Sequence, residues 1–309
     1  MPSESDPIRI VVICGPTGTG KTAAAIEIAK AIGAVIVSAD SMQVYRYMDI
    51  GTAKPTPAER TAVTHHLIDV MDPDEAFDAQ QYVALADSVI EDLFRRKIPV
   101  LVVGGTGLYI RALRYGLFSA PKIDPMIRSA LRAEASERGF AELYDRLRVL
   151  DPQSAAALHP NDRQRILRAL EVSLSTGRPF SSYLKEHGFR SERYAACVIG
   201  LYREREALYE RIDRRVDDML ENGFLQEVER LLQMGYSAGL ASMQSLGYRH
   251  LVDFIDGRMS WEETVRTLKR DTRRYAKRQM TWFLKERNMI WIDAHRTDAM
   301  IAVVKDFLR

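Results

Sequence analysis

Short apolar runs alternate with amphipathic stretches along the first part of the chain. Apolar residues dominate positions 8–14, 34–38 and 99–103, whereas residues 78–96 mix polar and apolar positions as a helix does. Apolar runs of this length, separated by helices, are typical of buried strands in a parallel sheet. The pattern therefore predicts an α/β fold with a doubly wound parallel sheet flanked by helices.

The middle of the chain lacks such runs, and helical patterns interrupted by prolines take their place. Apolar runs return at 195–201 and 289–293, and the first of these is expected to bring the chain back to the sheet. We therefore expect a core formed by residues 1–118 and 193–309, with a helical insertion domain formed by residues 119–192.

A glycine-rich run lies between the first predicted strand and a helix-forming stretch. Its residues are Gly15, Pro16, Thr17, Gly18, Thr19, Gly20, Lys21 and Thr22. A strand, a loop ending in Gly-Lys-Thr and a helix form the sequence context of a P-loop, although a chance glycine-rich turn is the alternative. Loop N–H groups, the lysine and the helix N-terminus then bind phosphate oxygens, and the Thr22 hydroxyl suits Mg²⁺. The motif predicts binding of a di- or polyphosphate and does not identify it as ATP.

The third predicted strand ends in Gly104-Gly105-Thr106. Ligands of open parallel sheets bind at the carboxyl ends of strands, where P-loop NTPases and kinases use an acid to hold Mg²⁺ or its water. Gly-Gly-Thr in place of that acid argues against nucleotide hydrolysis. Thr106 would offer a hydroxyl at the rim of the site, and an ordinary glycine turn is the alternative.

Asp40 follows the second predicted strand and is the acid expected to lie closest to the phosphate site. One interpretation makes it a general base or an indirect Mg²⁺ ligand. The other makes it the first residue of an Asx turn or a helix cap, which is common for Asp after a strand.

Composition restricts the kind of partner. The 309 residues carry a formal net charge of only +2, so nucleic-acid binding must come from local clusters of basic residues. The polar N-terminus does not resemble a signal peptide, and no apolar run approaches the ~20 residues of a membrane span. The expectation is a cytoplasmic protein that does not contact a membrane.

Basic residues cluster in three stretches. The longest is predicted to be one helix over 261–287, with Arg266, Arg270, Arg273 and Lys277 on one face. The other two are formed by Gln164, Arg165, Ile166, Leu167 and Arg168, and by Gln244, Gly247, Tyr248 and Arg249. Each is either a solvated surface or a contact for nucleic acid, and the aromatic ring in the last could stack on a base. His65-His66 and His159 lack the spacing of metal ligands, so structural roles are expected.

The ordered set of motifs resembles the tRNA isopentenyltransferase family, in particular its bacterial members, over nearly the whole chain. The residues that carry the resemblance are 15–22, 38–45, 48–55, 65–69, 103–109, 159–163, 165, 168–171, 247–249 and 277–282.

The resemblance implies transfer of a dimethylallyl group from dimethylallyl diphosphate to the exocyclic amine of the adenosine 3′-adjacent to a tRNA anticodon. The P-loop would hold the diphosphate with Mg²⁺. Asp40 would take a proton from the amine, and Thr106 would support the amine or the leaving oxygen. The flipped adenine would lie against Asp40, Ser41, Met42 and Gln43.

The resemblance also implies that the segment from Gln164 to Arg168 grips the anticodon stem-loop, with Arg128 as a further contact. Arg211 and Arg214, which lie one helical turn apart, would reach the diphosphate. The expected partners are tRNA and dimethylallyl diphosphate, and the expected state is a monomer. Two alternatives stay open, namely a P-loop small-molecule kinase and a non-catalytic RNA-binding protein that uses the P-loop as a nucleotide switch.

Overall fold

The structure is a computed structural model that describes residues 7–117, 124–188 and 191–309. The expected domain boundary between residues 118 and 119 lies outside the described residues.

The chain divides into two compact units. Met1–Arg114 and Glu192–Arg309 form the first, and Tyr115–Ser191 forms the second.

A parallel sheet forms the centre of the first unit. Its strands are β1 (Arg9–Cys14), β2 (Val35–Ser38), β3 (His65–His66), β4 (Val100–Gly104), β5 (Ala195–Tyr202) and β6 (Met289–Asp293). Within the described residues they lie in the order β3-β2-β4-β1-β5-β6, and every neighbouring pair is parallel. β1 lies between β4 and β5, so the apolar run that follows the helical segment does return to the sheet. The predicted α/β fold with a P-loop-type parallel sheet is confirmed.

Helices cover both faces of the sheet. The chain forms α1 (Lys21–Ile32), α2 (Pro57–Ala62), α3 (Ala79–Arg95), α4 (Gly107–Tyr115), α5 (Pro125–Arg138), α6 (Phe140–Leu150), α7 (Pro152–Ala157), α8 (Arg163–Thr176), α9 (Phe180–His187), α10 (Arg205–Glu221), α11 (Phe224–Gln233), α12 (Tyr248–Ile255), α13 (Trp261–Phe283) and α14 (Thr297–Leu308). Residues of α1 and α14 pack against one face of β1, represented by Val11 and Ile13. Residues of α3 and α4 pack against the other face, represented by Ile10 and Val12. The alternating apolar positions of β1 therefore separate two hydrophobic layers.

Two predicted helices can be compared with the structure. The helix predicted at 78–96 is found as α3. Asp78 caps its first turn, because its side chain accepts hydrogen bonds from the backbone N–H groups of Gln80 and Gln81. The helix predicted over 261–287 ends earlier, at Phe283. A turn with hydrogen bonds from Lys285 and Glu286 back to the last helical residues follows, and Asn288 has a φ of 57°. Asparagine tolerates this left-handed conformation, which occurs directly before β6.

The second unit is helical in the described residues. Its helices α5 to α9 enclose a hydrophobic cluster that includes Leu131, Leu143, Leu147, Ile166 and Leu170. In the described ranges of the whole chain, no helix is long and apolar enough to cross a membrane.

Candidate active site

The P-loop connects β1 to α1, and its glycines are required by both conformation and space. Gly15, Gly18 and Gly20 have φ values of 146°, 82° and 100°, which side chains rarely permit. A Cβ atom on Gly15 would lie 2.6 Å from the carbonyl oxygen of Leu201, and one on Gly18 would lie 2.8 Å from Cγ1 of Ile212. β5 and α10 therefore pack directly against the loop.

Two arginines hold carbonyl groups of the loop. Arg203 Nε donates to the carbonyl oxygen of Thr19 at 2.8 Å, and Arg211 Nε donates to that of Gly18 at 3.1 Å. The donors lie 184 and 193 residues beyond their acceptors in the chain. Arg211, which the resemblance assigned to the diphosphate, thus orients a peptide group of the loop.

A cavity of about 750 Å³ opens in front of the P-loop. Four cationic side chains line it, namely Lys21, Arg211, Arg214 and Arg215. The pKa of Lys21 is lowered to about 8, mainly by burial and also by the charge of Arg215, while Asp40 acts in the opposite direction. Burial also lowers the pKa of Arg215, which Asp40 raises. A concentration of positive charge at the mouth of a P-loop suits an anion with more than one charge.

Sequence reasoning missed Arg215. Its signal was its spacing, because Arg211 and Arg215 lie four residues apart and therefore share one face of α10. Arg214, which was proposed instead, also lines the cavity, and it lies 4.0 Å from Glu210.

Asp40 forms the Asx turn that was one of the two roles considered for it. Its Oδ1 accepts hydrogen bonds from the backbone N–H groups of Met42 at 2.9 Å and Gln43 at 3.4 Å, which is an Asx turn. In the part of the chain that the structure describes, Oδ2 has no hydrogen-bond partner. Asp40, Ser41, Met42 and Gln43 all line the cavity. The turn therefore fixes a carboxylate that keeps one oxygen for a ligand.

The Gly-Gly-Thr segment closes the end of β4 against the end of β2. A Cβ atom on Gly104 would overlap the carbonyl oxygen of Ala39, and the Thr106 N–H donates to the same oxygen at 3.2 Å. Thr106 Oγ1 accepts a hydrogen bond from the Ser41 N–H at 3.0 Å. The turn thus brings Thr106 beside the residue that follows Asp40.

Gln279 of α13 connects this turn to the P-loop. Its Oε1 accepts a hydrogen bond from the Thr17 N–H at 2.8 Å, and its Nε2 donates to the Gly105 carbonyl oxygen at 2.9 Å. Thr272 and Tyr275, from the same face of the helix, also line the cavity. Sequence analysis placed Gln279 in the motif 277–282 but gave its side chain no role.

The segment 244–249 is only partly at the cavity. Gly247 and Tyr248 line it, but the Tyr248 side chain is buried and its hydroxyl donates to Glu227 Oε1 at 2.6 Å. Gln244 instead donates to a nearby backbone carbonyl, and Arg249 pairs with Asp271 at 3.3 Å. Tyr248 is therefore a wall residue whose ring is already packed, which does not fit the stacking role considered for it.

Glu227 of α11 is a buried carboxylate that sequence reasoning also missed. It accepts hydrogen bonds from the backbone N–H groups of Asp49 (2.8 Å), Ile50 (2.7 Å) and Gly51 (3.1 Å), in addition to the Tyr248 hydroxyl. The motif around residues 48–55 is thus held from α11, and Gly51 lines the cavity.

The predicted RNA contacts of the second unit lie on α5 and α8. Arg128 makes two hydrogen bonds to Glu171, at 2.8 and 3.2 Å, and Arg168 lies 3.8 Å from the same carboxylate. The Arg165 side chain is 66% exposed. Ile166 is fully buried in the cluster of this unit, so its side chain serves the core and is not available to RNA. Gln164 is exposed and Leu167 is half-buried.

The basic face of α13 is largely paired with acids. Arg266 lies 3.1 Å from Glu263, and Arg273 lies 2.5 Å from Asp213. Arg270 is likewise paired, with the neighbouring Asp271. These pairs reduce the positive field that the sequence pattern indicated.

The oxygen donors in the cavity fit Mg²⁺. The hydroxyl-bearing Thr22 and the Asp40 carboxylate both line it. Within the described ranges, no group of three or more His, Cys, Asp and Glu side chains could hold a metal ion. A few protein oxygens, completed by phosphate oxygens and water, form the type of site that Mg²⁺ prefers over a cage made by the protein alone.

A parallel sheet whose central strand runs into a glycine loop, a lysine and a helix N-terminus defines the class of P-loop-type proteins. Residues 43–288 match the model of the IPP transferase family. The chain belongs to this family, and the resemblance found in its motifs is confirmed.

Curated relatives and solved structures agree with this assignment. The chain is 50% identical over 302 residues to a tRNA dimethylallyltransferase of Desulfosudis oleivorans, covering 97% of this chain and 96% of that protein. The crystal structure of a tRNA isopentenylpyrophosphate transferase from Bacillus halodurans superposes with a TM-score of 0.73 at 39% identity, covering 97% of both chains. A eukaryotic dimethylallyltransferase, solved while acting on tRNA, gives a TM-score of 0.80 at 29% identity, covering 97% of this chain and 79% of that one.

Proposed function

We propose that this protein is a tRNA dimethylallyltransferase. It transfers the dimethylallyl group of dimethylallyl diphosphate to the exocyclic amine of the adenosine 3′-adjacent to a tRNA anticodon, and releases diphosphate. Family membership and the names of its relatives support the reaction. The observation that carries the proposal is a cavity lined both by Lys21 of the P-loop with three arginines of α10 and by the turn-bound carboxylate of Asp40.

The cations of the cavity stabilise the leaving group. Negative charge builds on diphosphate as the allylic C–O bond breaks, and fixed positive charges that face this group lower the barrier. Lys21, Arg211 and Arg215 line the cavity on the side of the P-loop, and the N-terminus of α1 adds its partial positive charge. Thr22 would hold Mg²⁺, which when bound supplies further charge to the diphosphate.

Asp40 handles the acceptor. The amine nitrogen forms a bond to the allylic carbon as the C–O bond breaks, and the proton it loses passes to Oδ2 of Asp40, the oxygen that the Asx turn leaves unused. Ser41, Met42 and Gln43 form the adjoining wall for the flipped adenine. Thr106, just beyond the end of β4, holds the Ser41 backbone of this wall in place.

The helical segment 119–192 is proposed to act as the domain that contacts the anticodon stem-loop, and residues 1–118 and 193–309 are proposed to form the catalytic core. The exposed Arg165, with Arg128 and Arg168, supports this role, since arginine contacts to phosphates dominate RNA affinity. We further propose that the enzyme works as a monomer in the cytoplasm.

The kinase alternative is not favoured, because the chain belongs to a transferase family and β4 ends in Gly-Gly-Thr where a kinase carries an acid. The test mixes the protein with Mg²⁺, unmodified tRNA and dimethylallyl diphosphate labelled in the allyl group. Label should appear on tRNA with release of one diphosphate per transfer, and a tRNA with guanosine at the target position should stay unlabelled. Transfer of labelled phosphate from ATP, with no label on tRNA, would overturn the proposal.

A further inference from the structure

Gln279 is buried at the point where three distant segments meet. Its amide accepts from the P-loop at Thr17 and donates to the strand end at Gly105, 262 and 174 residues away in the chain. Glycine at position 105 leaves room for this amide, because an added Cβ atom would overlap Nε2 of Gln279. The oxygen and the nitrogen of this amide therefore each bond to a backbone group of opposite hydrogen-bonding character.

The two bonds require a donor and an acceptor at one end of a side chain. Among the amino acids only glutamine and asparagine carry both on a planar amide, and asparagine is shorter by one methylene. A carboxylate could accept from Thr17 but would oppose the Gly105 carbonyl oxygen. An apolar side chain would leave both backbone groups without this partner, which is costly in a buried position.

The segments joined by Gln279 carry the two halves of the reaction. Thr17 belongs to the loop that faces the diphosphate, whereas Gly105 precedes Thr106, whose hydroxyl holds the Ser41 backbone beside Asp40. Trp282, one turn further along α13, also packs directly against Gly107 of the same turn. The helix thus contacts the strand end at two successive points and the P-loop at one.

We propose that Gln279 is a positioning residue that sets the spacing between the diphosphate cradle and the Asp40 carboxylate. This inference rests on the proposed prenyl transfer. Both polar atoms of the Gln279 amide bond to the Thr17 and Gly105 backbone, so its loss should impair the reaction of bound substrates more than their binding. Misplacement of reacting groups by a fraction of an ångström to one ångström is enough to slow a reaction strongly.

The test compares Gln279→Met, which keeps the length but removes both bonds, with Gln279→Glu, which keeps the shape but cannot donate to Gly105 when ionised. Single-turnover transfer of labelled dimethylallyl to tRNA gives the rate of the bound complex. Affinity for Mg²⁺ with inorganic diphosphate is measured separately by calorimetry. Gln233→Glu, at the exposed end of α11, is the matched control for the amide-to-acid change.

Both Gln279 variants should lose about 30-fold in the single-turnover rate while diphosphate affinity changes by less than about threefold. The control should match the wild type. Equal losses of rate and diphosphate affinity would overturn the inference, because Gln279 would then only shape the P-loop. Unchanged rates in both variants would overturn it as well. If Gln279→Met does not fold, Gln279→Glu alone decides between these outcomes. Absence of transfer by the wild type would instead refute the proposed function.

Discussion

Replacement of Glu227 by glutamine isolates the contribution of the buried carboxylate that holds residues 49–51. Its two oxygens accept from three backbone N–H groups and from the Tyr248 hydroxyl. Glutamine has nearly the same shape, so no cavity forms. One of its two terminal atoms is an NH₂ group, however, and this group donates. If the amide oxygen keeps accepting from the Asp49 and Ile50 N–H groups, the Gly51 N–H faces this NH₂ group and loses its acceptor.

The magnitude follows from these contacts. A buried N–H without an acceptor costs about 1–3 kcal/mol. The bonds that persist lose their charge assistance, which is roughly half of their strength. Glu227→Gln should therefore lower the free energy of unfolding by about 3 kcal/mol, which corresponds to a Tm lower by roughly 6–12 °C for a domain of this size.

Thermal and urea unfolding followed by circular dichroism measure the change. Glu229→Gln, an exposed glutamate on the same helix, is the matched control and should stay within about 0.5 kcal/mol of the wild type. Tyr248→Phe removes a single bond and should cost about 1 kcal/mol. A cost below about 1 kcal/mol for Glu227→Gln would refute this account of how the turn is held.

Three further predictions concern the site itself. Asp40→Asn should lower the single-turnover rate roughly 10²- to 10⁴-fold with unchanged diphosphate affinity; equal loss of both in calorimetry and transfer assays would make Asp40 a structural or metal-binding residue instead. Because burial, with a neighbouring arginine, holds the pKa of Lys21 at about 8, its ammonium form is present below that pH and lost above it. Diphosphate affinity of the free enzyme should thus fall as the pH rises through about 8, and titration calorimetry should show this limb in the control Lys30→Met but not in Lys21→Met. Gly104→Ala places a Cβ atom against a backbone carbonyl that cannot rotate away, so urea unfolding should show a loss of more than about 2 kcal/mol. Gly239→Ala should be nearly neutral, because its Cβ atom would meet only the Ser237 hydroxyl, at an ordinary contact distance of 3.8 Å.

Local patterns in the sequence were sufficient for most of the sheet. Five strands were predicted within one residue of their observed ends, because a buried strand needs only a short apolar run between turn residues. β3 was missed because two residues are too few to show a period. The P-loop was recognised for a similar reason, since its glycines and lysine are contiguous.

The parts of the site that were missed depend on contacts between distant segments. Gln279, Glu227 and Arg203 each bond to backbone groups more than 170 residues away, and nothing in their own neighbourhoods indicates which groups those are. Periodicity shows which face of a helix is buried but not what it is buried against. For Arg215 a local signal did exist, in its spacing from Arg211 on α10.

The way the P-loop is fastened has a consequence for the synthesis of the protein. The arginines that hold its Gly18 and Thr19 carbonyls emerge 193 and 184 residues after their acceptors, and β5, which pairs with β1, emerges with them. At about 5–20 residues per second, a ribosome needs roughly 10–40 s to cover that interval. During this time the nascent chain carries the complete Gly-Lys-Thr motif without its supports. We therefore expect the P-loop to bind a diphosphate only after Arg211 has emerged, about two-thirds of the way through the 309 residues.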